Sequence, residues 1–299
     1  MDTPTSWHLW LLAIRPKTLP ASIAPVVVGG AVAWGENKFS LTALAACLFF
    51  ALIMQIAANL ANDYFDWQRG IDASERIGER LGPRRFCQSG LIAPAQMQRA
   101  VALTVALAAL PLLFLIWHGG WPIVFLGIAA MAAALAYSGG PYPLASHGLG
   151  EAAAFVFFGL MAVGGSAFLI GGHYRGLAFI AALPPGLLIA ALMVVNNFRD
   201  MTSDMRVGKR TLAVRLGRDK TIQLYRALLL ASYLIPAAMA LRLGPFLCLP
   251  FLALLLAWRL GQRIATWQGQ QINELLAATA QFTLAHSLLF AVGIALAKP

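Results

Sequence analysis

Asn and Asp gather at two places in this chain. The first is Asn59-Leu60-Ala61-Asn62-Asp63-Tyr64-Phe65-Asp66, followed by Gly70 and Asp72; the second is Asn196-Asn197-Phe198-Arg199-Asp200, followed by Asp204. Asn59 and Asp63 are four residues apart, as are Asn62 and Asp66, and Asp200 and Asp204, while Asp63 and Asp66 are three apart. On a helix, each set therefore lines one face. A single polar residue at a helix end near water needs no explanation. Two sets of stacked carboxylates do, because like charges one turn apart repel and call for a counter-ion. Carboxylate and amide oxygens are hard ligands that suit Mg²⁺ better than zinc or copper, and Mg²⁺ characteristically completes its shell with water and substrate phosphate. Two facing clusters would hold two Mg²⁺ ions around one diphosphate. Basic residues stand beside each cluster: Arg76, Arg80, Arg84 and Arg85 after the first, Arg206, Lys209 and Arg210 after the second. Arg grips phosphate with a planar fork and Lys with a point charge, although the same residues also serve as topology determinants.

The elements that must carry these clusters are membrane helices. Of 299 residues, 60% are hydrophobic and 11% charged, against about 25% charged in soluble domains, and the mean hydropathy is +0.72. This composition excludes a disordered chain and a nucleic-acid-binding module, and it leaves no room for a soluble enzyme of this size. Apolar runs long enough for a hydrocarbon core of ~30 Å lie at 18–35, 41–62, 99–117, 120–138, 150–170, 174–196, 222–242, 245–260 and 276–297. The reading is an all-α polytopic membrane protein of about nine transmembrane helices, forming one membrane-embedded domain over 1–299. Residues 1–17, with Trp7, Trp10 and Leu11, form an interfacial segment before the first span.

With the N-terminus in the cytoplasm, eighteen Lys and Arg residues fall inside, and Lys38, Arg175, Arg242 and Lys298 fall outside. That is the orientation the positive-inside rule favours. It makes 63–98 and 198–221 cytoplasmic active-site loops. Most acids lie on the same side, which the positive-inside rule does not demand. Cys47, Cys87 and Cys248 are far apart and form neither a disulfide framework nor a zinc spacing. The site is thus expected to be membrane-embedded and cytoplasm-facing, binding Mg²⁺ and a phosphorylated ligand, with an apolar chamber suited to a hydrocarbon tail. An isoprenoid diphosphate meets both demands. A transporter is the rival outside enzymes, but transporters place charged or unwound segments near the midplane, whereas here the charges collect at one face.

At these residues the chain resembles the UbiA superfamily of intramembrane aromatic prenyltransferases, and within it the menaquinone branch that acts on 1,4-dihydroxy-2-naphthoate. The resemblance runs from Arg15 to about Gly217. It is carried by RPKTLP at 15–20, NLANDYFDWQRGID at 59–72, GPRRFCQSGLI at 82–92, AYSGGPYPLASHGLGE at 136–151 and NNFRDMTSD with GKRTLAVRLG within 196–217. Many superfamily members carry a third Asp where this chain has Gly70; the next acid here is Asp72.

The resemblance implies a UbiA-type bundle in a bacterial-type inner membrane. A polyprenyl diphosphate would lose diphosphate, and the allylic cation would be attacked by the ring of an aromatic acceptor. In the naphthoate branch, CO₂ is lost and demethylmenaquinol forms. 4-Hydroxybenzoate and homogentisate are the alternative acceptors. Implied metal ligands are Asp63, Asp66, Asp200 and Asp204, with Asp72 a further candidate. Asn59, Asn62 and Asn197 would orient the head group, and Arg85 and Lys209 would contact phosphate. Tyr137 matches a tyrosine position of the family and would shield the cation with its ring face, or else sit as an interface tyrosine. Glu151 is an ionisable group in apolar surroundings and so a functional candidate; it would meet the acceptor side of the site or cap its helix. Arg15 and Lys17 are candidates for the acceptor carboxylate. His8, His118, His147, His173 and His286 share no spacing and read as interface or loop residues.

Overall fold

The structure, a computed structural model, describes residues 6–34, 38–70 and 85–297. Asp72 and the Arg76, Arg80 and Arg84 positions lie outside them. Among the described residues, the regular structure is entirely helical. A short helix α1 (Ser6–Ala13) leads into α2 (Pro20–Ala33). Then follow α3 (Leu41–Gln68) and α4 (Pro94–Gly119), α5 (Pro122–Ser138), α6 (Gly150–Gly171), α7 (Gly176–Arg206), α8 (Leu212–Leu243), α9 (Pro245–Thr266) and α10 (Gln271–Ala297).

Local chemistry sets the starts of these helices. Ser40 caps α3 by accepting a hydrogen bond from the Ala43 amide at 3.1 Å, and Thr211 caps α8 through the Val214 amide. Pro94 and Pro122 open α4 and α5, where a missing N–H costs nothing.

Each of the nine apolar runs falls on a helix. Seven helices (α3, α4 and α6–α10) are long and apolar enough to cross a membrane. α2 passes only together with the preceding Trp7–Thr18 segment, from which it is bent by 49°, and α5 is a shorter apolar helix. By length and composition, then, the described residues supply seven or eight spans, not nine. α2 and α5 fall short because their apolar runs are interrupted early, by the Pro16–Pro20 bend and by the Gly139-Gly140-Pro141 turn. Large apolar side chains such as Trp117, Trp121, Leu241 and Leu252 point outward, as they do on a protein solvated by lipid. The chain is a multi-pass membrane protein.

The two halves repeat one arrangement. α3, which carries the first Asn/Asp set, packs chiefly against α4; α7, which carries the second, packs against both α6 and α8. α2 and α10 pack together, and α2 also lies along α6. Where α6 crosses α7 the helices nearly touch. A Cβ added to Gly159 would lie 2.8 Å from the Gly186 Cα, so neither position has room for a side chain. Around Gly159, α6 widens into a π-helical stretch, Phe155–Met161, a departure common beside functional sites.

Candidate active site

The Asp motifs stand on helices, not in the loops expected over 63–98 and 198–221. α3 continues to Gln68 and α7 to Arg206, because the three- and four-residue spacing of the polar groups is itself helical. After α7, Gly208 adopts φ 76°, a left-handed conformation that glycine takes without strain. The chain doubles back there, and the Lys209 amide donates to the Asp204 carbonyl at 2.9 Å.

That turn brings the two motifs together. The Lys209 ammonium lies 3.5 Å from Asp66 Oδ1 and 3.8 Å from Asp204 Oδ1. Asp66 is buried and also accepts a hydrogen bond from the Arg85 guanidinium. The charges of Arg85, Lys209, Arg69 and Arg15 all act on Asp66.

The remaining carboxylates are tied differently. Asp63 accepts the Phe86 and Cys87 backbone amides, one on each oxygen, both at 3.0 Å. These bonds hold the turn after Arg85 against the helix ends, with Phe86 in an apolar cluster of Leu60, Ile92 and Met97. Burial and the neighbouring Asp63 push the Cys87 thiol up to about 12. Asp200 is gripped by the fork of its neighbour Arg199, Nε to Oδ1 at 2.7 Å and Nη2 to Oδ2 at 2.6 Å. Arg199 also donates to Asn196 and, across to α10, to Asn273.

Among the described residues no three of His, Cys, Asp and Glu gather into a metal-holding group. The expected four-Asp metal cluster is therefore not assembled from side chains alone. The donor set nonetheless suits Mg²⁺, which takes one or two carboxylates and fills its shell with phosphate and water. Asp66 and Asp204 come from opposite halves of the chain yet both lie within reach of one ammonium.

Beside this cluster opens a cavity of about 270 Å³. Its polar end is formed by Arg15, Thr18, Asn59, Asn62, Tyr137 and Asn196, and its length by apolar side chains such as Phe50, Met54, Leu126, Phe157 and Met161. Arg15 is the one non-glycine residue among those described with positive φ, at 54°, a conformation that costs energy and tends to mark functional sites. Asn59 holds that turn, donating to the Ile14 carbonyl at 2.9 Å. Tyr137 donates to the Met193 sulfur at 3.8 Å.

Asn59 lines the cavity, as its expected role requires, and its amide also donates to the backbone before Arg15. Several expectations need correcting. Asn197 is buried and donates to Glu151 Oε1 at 2.8 Å. Lys17 is exposed and is not among the residues lining the cavity. His286 is neither at an interface nor in a loop: it is fully buried midway along α10, edge-on to Tyr233. Asp72 lies outside the described residues. The residues that sequence reasoning missed are Arg199, read as a topology charge, and Asn273; the only signal in the sequence was that Arg199 directly precedes Asp200.

The chain matches the UbiA prenyltransferase family over residues 22–281. It is 37% identical to the 1,4-dihydroxy-2-naphthoate octaprenyltransferase of Escherichia coli (strain K12), over 75% of this chain and 73% of that one. It is 33% identical to the enzyme of the same name from Haemophilus influenzae, over 96% and 95%. A UbiA homolog from Archaeoglobus fulgidus, solved bound to GPP and Mg²⁺, shares the fold with a TM-score of 0.69 at 15% identity, over 96% of this chain and 99% of that one. With helix-borne Asp motifs, a helical bundle of the same fold and a family match spanning most of its length, the chain belongs to the UbiA prenyltransferase family.

Proposed function

We propose that this protein transfers a polyprenyl group from polyprenyl diphosphate to 1,4-dihydroxy-2-naphthoate, releasing diphosphate and CO₂ and giving demethylmenaquinol. The observation that carries the reading is the mainly apolar cavity, whose lining includes Asn62, one helical turn before Asp66, and Asn196, four residues before Asp200, while Asp66 and Asp204 from the two halves share Lys209. The tail lies along Phe50, Met54 and Met161, and the diphosphate lies at Arg85 and Lys209. Asp66 and Asp204 hold Mg²⁺, with Asp63 and Asp200 behind them fixing the surrounding backbone and helix. Bound Mg²⁺ supplies positive charge to the leaving diphosphate.

The chain's own residues do the rest. Arg85 and Lys209, already oriented by Asp66, meet the diphosphate with cations that need no reorganisation, and preorganised charge is the main source of such stabilisation. Tyr137 lines the cavity, and its ring face would attract an allylic cation. The apolar walls keep water from that cation. Arg15, held in its strained turn by Asn59, faces the acceptor carboxylate. The naphthoate acceptor is supported by relatives named for that substrate that resemble this chain over most of its length.

Membranes containing the protein are expected to form demethylmenaquinol from 1,4-dihydroxy-2-naphthoate and polyprenyl diphosphate with Mg²⁺, and none with EDTA, as read by mass spectrometry. Product from 4-hydroxybenzoate instead would move the acceptor. No product with any aromatic acceptor, from folded protein, would remove the reading.

We also place the site on the cytoplasmic side of an inner membrane, from the distribution of basic residues. Cysteines introduced at Ser89 and Met205, both exposed, in a chain lacking its native cysteines, should resist an impermeant thiol reagent in intact cells and react after lysis. Labelling in intact cells would reverse the orientation.

A further inference from the structure

Glu151 is buried at the start of α6, 6% exposed. One carboxylate oxygen, Oε1, accepts from Asn197 at 2.8 Å. The other, Oε2, is buried and has no hydrogen-bond partner among the described residues. An unpartnered carboxylate oxygen out of water is costly, and such an atom in a native site calls for a donor the protein itself does not supply.

The position says what that donor is. Glu151 and Ala154 are three residues apart on one helix, so they share a face, and Ala154 lines the cavity. Glu151 therefore carries that wall one turn past the lining residues. Tyr137 borders the same place: a Cβ on Gly150 would lie 3.2 Å from the Tyr137 hydroxyl. Tyr137 itself lines the cavity, as does Asn196, the neighbour of Glu151's partner Asn197. The cations Arg85 and Lys209 lie with Asp66. A diphosphate has only acceptor oxygens and would be repelled here. A ring hydroxyl is a donor.

Resting on the functional reading above, we infer that Glu151 is an acceptor-binding residue whose free oxygen takes a hydrogen bond from a ring hydroxyl of the aromatic acceptor. The bond selects hydroxylated rings and draws electron density toward the carbon that attacks. Arg15 faces the acceptor's carboxylate, so the ring meets a cation at its carboxylate and a hydrogen-bond acceptor at a hydroxyl. No covalent step is assigned to Glu151.

The test couples the side chain to the hydroxyl. Binding of 1,4-dihydroxy-2-naphthoate and of its two monomethyl ethers would be measured on purified wild type, E151A and E151Q, with polyprenyl diphosphate binding as the control. In the wild type at least one ether should bind about tenfold or more weakly than the diol, the size expected for a hydrogen bond to a charged group. In E151A that penalty should vanish while polyprenyl diphosphate binding is unchanged. E151Q, which keeps the volume and an acceptor oxygen for Asn197, provides the same comparison if E151A does not fold. No ether penalty in the wild type, or a penalty that persists in the variants, would overturn the inference and leave the functional reading standing. A folded wild type that neither binds nor converts the naphthoate would overturn both.

Discussion

The two Asn/Asp motifs look alike in the sequence and are used differently in the fold. In the first, Asp66 is neutralised from a distance, by Arg85 and by Lys209 of the other half. In the second, Asp200 is neutralised by its own neighbour Arg199, whose fork takes both oxygens. Within each motif one carboxylate faces the partner motif and one is spent on the scaffold. Asp66 and Asp204 share Lys209. Asp63 holds two backbone amides, and Asp200 holds an arginine that reaches α10. A repeated motif is thus not a repeated set of partners: packing gives the similar carboxylates of the two motifs different neighbours.

The strongest way to break this contrast is to neutralise the shared pair. Asp66→Asn and Asp204→Asn are each expected to lower turnover on the order of 10²–10³-fold, a loss of the size seen when a preorganised electrostatic group is removed, while folded yield is kept. Activity above a tenth of wild type in either would remove them from the reacting centre.

Next in size is Arg199→Ala. It removes the buried guanidinium that holds both oxygens of the half-buried Asp200, and hydrogen bonds between charged groups are worth roughly 1.5–3 kcal/mol. The expected readout is a lower thermal midpoint in detergent, with activity lost in proportion to folded protein. Full stability with selective loss of turnover would place Asp200 beside Asp66 and erase the contrast.

The smallest effect sharpens it. Asp63→Asn keeps one acceptor oxygen but sets an NH₂ against the other of the Phe86 and Cys87 amides. An unmet buried hydrogen bond costs about 1–3 kcal/mol. The turn 85–92 should become more susceptible to limited proteolysis, and turnover should fall less than in Asp66→Asn. An Asp63→Asn protein as inactive as Asp66→Asn, with an intact turn, would give Asp63 a direct part in the reaction.

Much of this was legible without coordinates because it is local or additive. Hydrophobic content and run length marked the spans, since the bilayer sets the length a helix needs. The spacing of Asn59, Asp63 and Asp66, and of Asp200 and Asp204, fixed one polar face on each helix, since the helical period is a property of the backbone. Their chemistry pointed to Mg²⁺ and phosphate. What the sequence did not decide is which partner each charge meets. Lys209 reaches Asp66 only because α3 and α7 converge and Gly208 turns the chain back. Glu151 meets Asn197 only because α6 packs on α7. His286 is buried only because α10 is enclosed, a fact its apolar neighbours in sequence do not reveal. Partners tens to more than a hundred residues apart are chosen by packing and desolvation across the whole bundle, and no spacing rule along the chain contains that choice.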